Sequence, residues 1–172
     1  MLRVIAIALL AFLHAASGKV VEYDLNIAEE TVAPAGKSVR GLTINGGIPA
    51  PTLRFTIGDT ARIRVHNRLP RGETSTHWHG LLVPNEQDGI SRVTTPPILA
   101  GQSHTFEFQL KHTGTYWYHS HTGLQEQRGL YGAIVVLPKG TPASANDHVL
   151  LLSDWTNENP DSVMKTLMRG SD

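Results

Sequence analysis

The sequence predicts an all-β fold, a sandwich or barrel of short antiparallel strands, on three observations. Apolar and polar residues alternate along 61–66 (Ala-Arg-Ile-Arg-Val-His) and along 105–110 (Thr-Phe-Glu-Phe-Gln-Leu), the period of a strand with one face in a core. Turn residues punctuate the chain at short intervals. No helical periodicity separates the β-like runs, which argues against alternating strands and helices.

In chain order, the first candidate strand is 20–28, and the second, 39–44, runs into Gly46-Gly47. The third, 52–55, lies between Ile48-Pro49 and Gly58-Asp59. Clear alternation marks 61–67, and 76–79 ends at Gly80. Next come the alternating run 104–109 and the aromatic run 115–119, followed by Gly123. The run 133–137 stops at Pro138-Lys139-Gly140, and 148–153 is the last candidate. One helix is expected near the end. Asn159 can cap it, Pro160 suits its first position, and Val163, Met164, Leu167 and Met168 form an apolar stripe up to Gly170. That stripe reads as a packing face rather than a methionine metal site.

A chain of 172 residues suits one domain of ordinary size with extras. Fifteen basic and fifteen acidic residues balance, without a basic run, so nucleic acid and anionic membrane are poor partners. Residues 1–18 have the form of an export signal: Arg3, an apolar stretch over 4–13, then Ala15-Ala16-Ser17-Gly18. The apolar stretch is too short to span a bilayer, which takes about 20 residues. A periplasmic or secreted location follows. There are no cysteines, which excludes disulfides and any thiolate metal site within these residues.

The most informative feature is a pair of His-x-His motifs, His77-Trp78-His79 and His119-Ser120-His121. Side chains at i and i+2 of a strand share a face, so two adjacent strands could gather four imidazoles. An imidazole cluster suits copper, zinc, iron or nickel, while magnesium and calcium prefer oxygen. A zinc hydrolase is disfavoured because no His-Glu-x-x-His motif occurs. Trp78 and Trp117 are expected to turn away from the ligands into the core. His66, His104 and His112 are read as solvent-facing, and His148 as a neighbour of Asp147.

His77-Trp78-His79-Gly80, followed by Gly114-Thr115-Tyr116-Trp117-Tyr118-His119-Ser120-His121, resembles the first two copper motifs of multicopper oxidases, the laccase-like family. The residues Leu81 to Gly89, Gln125-Glu126-Gln127 and Leu152-Ser153-Asp154-Trp155-Thr156 resemble its copper-resistance branch. The likeness covers about 21–159. It implies a cupredoxin-like Greek-key β-sandwich or barrel over 19–158, with 159–172 starting a linker or helix toward a further domain. It also implies that His77 binds a type 2 copper, and that His79, His119 and His121 bind the type 3 pair, His79 and His119 on one ion and His121 on the other. Asp88, in Gln-Asp-Gly nine residues after His79, is either a turn residue or an acidic proton relay beside the cluster.

The resemblance further implies dioxygen and a small reducing substrate, phenols or cuprous ion, as partners. It is incomplete, because the family's His-Cys-His motif for the type 1 copper is missing and no cysteine could replace it. Half of the trinuclear ligands are present. The expectation is therefore an N-terminal part of a longer oxidase, inactive alone, its other half supplied by a C-terminal cupredoxin domain. The alternative is a non-enzymatic copper-binding or sequestering domain, and a structural domain that has lost its metal is disfavoured by the four intact ligand positions.

Overall fold

The computed structural model of the chain describes residues 18–142 and 144–170. Residues 1–17, nearly all of the expected export segment, lie outside the described residues. The strands are β1 (Val20–Val32), β2 (Val39–Ile44), β3 (Ala50–Thr56), β4 (Thr60–Asn67), β5 (Glu73–Thr74), β6 (His77–His79), β7 (Ile98–Leu99), β8 (Ser103–Gln109), β9 (Gly114–His119) and β10 (Tyr131–Leu137), followed by helix α1 (Pro160–Arg169).

Two four-stranded sheets face each other, ordered β2-β1-β4-β8 and β3-β10-β9-β6, with a small β5-β7 ladder at one end. The alternation seen in the sequence decides which residues meet between them. Ala61, Ile63 and Val65 of β4 and Phe106 and Phe108 of β8 point inward from one sheet. Leu53, Phe55, Trp78, Tyr118, Ile134 and Val136 oppose them from the other. Trp78 joins the layers, its ring edge-on to Phe106 at 5.2 Å and tilted on Phe108 at 5.6 Å. Burying such aromatic side chains supplies the main drive for closing the sandwich.

Three expectations need correction. The sheets are mixed, since β1 runs parallel to β4 and β3 parallel to β10. The chain leaves the first sheet after β2, places β3 in the second, and returns with β4 beside β1. Alternation fixes the face a residue points to and carries no information on strand direction. Residues 148–153 form no strand. Their last residue meets the second sheet, the Ser153 hydroxyl lying 2.7 Å from the Tyr131 hydroxyl of β10, and they pair with no strand among the described residues. Helix α1 is capped as expected, the Asn159 side chain accepting from Asp161 N at 2.9 Å. Its stripe does not pack, however: Met164, Leu167 and Met168 are exposed.

Candidate metal centre

β6 and β9 pair antiparallel with His77 opposite His119 and His79 opposite Trp117. In such a pair, opposite residues point to the same side. His77, His79, Trp117 and His119 therefore share the outer face, while Trp78 and Tyr118 fill the core. His121 follows β9 directly. One ring nitrogen from each of His77, His79 and His119 lies within 4.8 Å of the others. The His121 ring stands 5.8 Å from the rings of both His77 and His119, so it borders this trio without closing on it.

Hydrogen bonds set which nitrogen of each ring faces the cluster. His77 Nδ1 donates to the Asp88 carbonyl oxygen at 2.8 Å, with the Asp88 carboxylate 3.4 Å away. His119 Nδ1 lies 2.9 Å from the Ser120 carbonyl oxygen and 2.9 Å from the Glu126 carboxylate. With Nδ1 engaged, Nε2 of each ring is left as the lone pair that a cation would use. His79 Nδ1 and His119 Nε2 are 3.3 Å apart. Two imidazole nitrogens sharing one ion at about 2 Å are separated by roughly that distance at a tetrahedral angle. Burial holds the His119 imidazole down to about 4, helped by the neighbouring histidines and opposed by its bond to Ser120. It is thus neutral at pH 7, the form that ligates metal.

The surroundings are braced on three sides. Trp117 lies flat against His119 (ring centroids 4.1 Å apart, planes at 16°) and against His79 (4.9 Å, 27°). Its expected place in the core was wrong, because residues 117 and 119 are two apart on one strand and share a face. Beneath the rim, Gln125 accepts from the Thr74 and Ser120 hydroxyls and donates to the Glu73 carbonyl, each at 2.8 Å. Ser75 Oγ accepts the His121 backbone N–H at 3.0 Å. On the far side, Gly89 has φ +81°, and a Cβ there would lie 1.8 Å from the Thr76 carbonyl oxygen. Only glycine lets this loop press Asp88 against His77.

All four predicted histidines thus come to one rim, with His119 buried and His79 and His121 exposed. Asp88 reaches it by its backbone as well as its carboxylate. Trp117, expected in the core, and Glu126, in the polar loop beyond the second histidine pair, also belong to the site. The remaining strand histidines are more engaged than expected. His66 bridges Ser103 and Asp24 across three strands, at 2.7 Å on each side. His104 packs on Phe106 at 4.5 Å, and His112 approaches the Gly80 carbonyl oxygen at 3.2 Å.

The multicopper oxidase family profile matches residues 26–141. Copper resistance protein A of Escherichia coli is 45% identical over 160 residues, which cover 92% of this chain and 26% of that protein. Laccase-1 of Thanatephorus cucumeris is 36% identical over 166 residues, covering 89% of this chain and 29% of that one. Among solved structures, a mutant of the laccase from B. aclada superposes with a TM-score of 0.80 at 36% identity, over 90% of this chain and 29% of its own. The chain spans about a quarter of the length of the curated relatives it matches.

Proposed function

Because this chain belongs to the multicopper oxidase family, we propose that it is the N-terminal cupredoxin domain of an exported, copper-resistance-type oxidase and supplies half of a trinuclear copper site. The single observation that carries this reading is the convergence of the His77, His79 and His119 nitrogens within 4.8 Å. The donor set fits copper, being imidazole throughout with second nitrogens held by oxygen acceptors at His77 and His119. His77 is the ligand for the type 2 ion, and His79, His119 and His121 serve the type 3 pair. Bound copper would supply one-electron redox chemistry, coupling oxidation of phenols or cuprous ion to reduction of dioxygen to water.

The chain's own residues do the rest. β6 and β9 hold the rings in register, and Trp117 covers one side of them. Asp88, its carboxylate 3.4 Å from His77 Nδ1, serves as a proton relay toward the site. His79 and His121 stand exposed on the rim, open to ligands from another domain. With no cysteine in its sequence, the chain cannot build a type 1 copper site, so electrons must enter through other residues and the chain alone does not turn over. A periplasmic or secreted location is supported by the signal-like residues 1–18. Among the described residues no helix is long and apolar enough to cross a membrane.

The test is a Cu(II) titration of the chain followed by electron paramagnetic resonance, with His77→Ala and His119→Ala alongside. Histidine-dependent uptake without oxygen consumption, when a phenol or cuprous ion is supplied, is the expected result. Equal binding by parent and variants would sink the assignment. Steady oxygen consumption by the chain alone would refute the half-site reading.

A further inference from the structure

Taking the histidines as copper ligands, as proposed above, we infer that Glu126 is a positioning residue of this site: its carboxylate works with the Ser120 carbonyl to hold the His119 ring so that Nε2 faces the cluster. The stacked indole of Trp117 sets the plane of that ring. It cannot set the ring's sense, because a half-turn about χ2 leaves the plane unchanged and exchanges nitrogen for carbon. Only the groups that face its nitrogens tell the two orientations apart. The Ser120 carbonyl accepts a hydrogen bond from His119 Nδ1 at 2.9 Å, and the Glu126 carboxylate faces the same nitrogen at 2.9 Å as an ion-pair contact. The carbonyl takes the hydrogen bond, and the negative charge of the carboxylate adds to the preference for a proton on Nδ1. It also makes the opposite nitrogen a better donor to a cation. At His77 the hydrogen bond likewise goes to a backbone carbonyl, but the carboxylate there stands farther off, at 3.4 Å.

Glu126 is itself held in place from both sides. It opens the 3-10 turn Glu126–Arg128. Gln125, just before it, is tied to Thr74, Ser120 and Glu73. Arg128, at the other end, pairs with Glu29 at 3.0 Å. Gly129 then closes the turn with φ +119°, where a Cβ would lie 2.4 Å from the Leu42 carbonyl oxygen. A surface glutamate with no task would not need this bracing.

The experiment uses the full chain, with Glu126→Ala, Glu126→Met, Glu126→Gln and the neighbouring Gln127→Ala. Two readouts are taken: nitrogen-15 spectra of the histidine rings in the metal-free protein, and Cu(II) affinity by chelator competition. The parent is expected to show His119 protonated at Nδ1. Alanine and methionine should raise the Nε2-protonated fraction against the hold of the Ser120 carbonyl, and weaken copper binding by about 10-fold. Glutamine, which keeps the oxygen but not the charge, should restore part of both, and Gln127→Ala should match the parent. Methionine keeps the side chain's length, so it carries the test if alanine unfolds the turn. Parent-like spectra and affinity in the folded alanine or methionine variant would overturn the inference. A parent that takes up no copper would refute the metal reading instead, and the metal-free spectra would still decide the role of Glu126.

Discussion

Burial lowers the His119 imidazole to about 4, well under the 6.5 of an unperturbed histidine. Between those values the unfolded chain binds a proton that the native chain refuses. The stability of the metal-free protein must therefore rise with pH across this window, be complete above about 6.5, and be lost as pH falls toward 4. One such proton sets a slope of up to about 1.4 kcal/mol per pH unit. Urea unfolding with a chelator present, at half-unit steps from pH 4.5 to 7.5, should show that slope, and His119→Gln should flatten it. Parallel profiles for the two proteins would assign the pH dependence to other groups. At this scale the histidines were legible because the i, i+2 rule needs only local spacing. Trp117 obeys the same rule relative to His119 and could have been placed with it. Glu126 carried no such signal, since a 3-10 turn and not a strand period brings it back to the ligand seven residues before it.

The loop between β6 and β7 makes the same point for an element. Residues 80–97 contribute no strand to the main sheets, yet they deliver Asp88 to His77, and the contact depends on Gly89. Its left-handed backbone is strained for any L side chain, and the space a Cβ needs is filled by the Thr76 carbonyl. Gly89→Ala should cost about 2–4 kcal/mol, strain and overpacking together. It should also lift Asp88 away, so that the His77 ring loses its preferred tautomer. Unfolding midpoints and nitrogen-15 spectra read the two effects separately, and an alanine variant as stable as the parent would show that the loop relaxes freely. The long strands of the sandwich were readable because alternation persists over several residues. The two-residue β5 and β7 are too short to carry a period. Residues 148–153 have the pattern but not the partner, and a strand needs both.

Across the whole molecule, core and site are one construction, because Trp78 sits between two histidines of the candidate site in sequence and between two sheets in space. Its ring is fully buried against Phe106, Phe108 and Tyr118, which fixes the rotation of β6 and hence the aim of His77 and His79. The indole Nε1 has no hydrogen-bond partner among the described residues, so packing alone holds it. Trp78→Leu should then do two things at once. It should destabilise the fold by about 2–4 kcal/mol through the cavity it leaves, and it should weaken copper binding, since β6 can now rock about its axis. Ile27→Ala is the control: Ile27 is equally buried, but on β1 in the opposite sheet, and its loss should cost a similar 2–5 kcal/mol. Both variants are compared well below their unfolding temperatures, where each is folded. If affinity tracks stability alone, the two will bind copper alike, and the site is no more than a passenger on the fold. If the ligands are aimed by the tryptophan between them, only Trp78→Leu will lose affinity, and its histidine spectra will broaden while those of Ile27→Ala stay sharp.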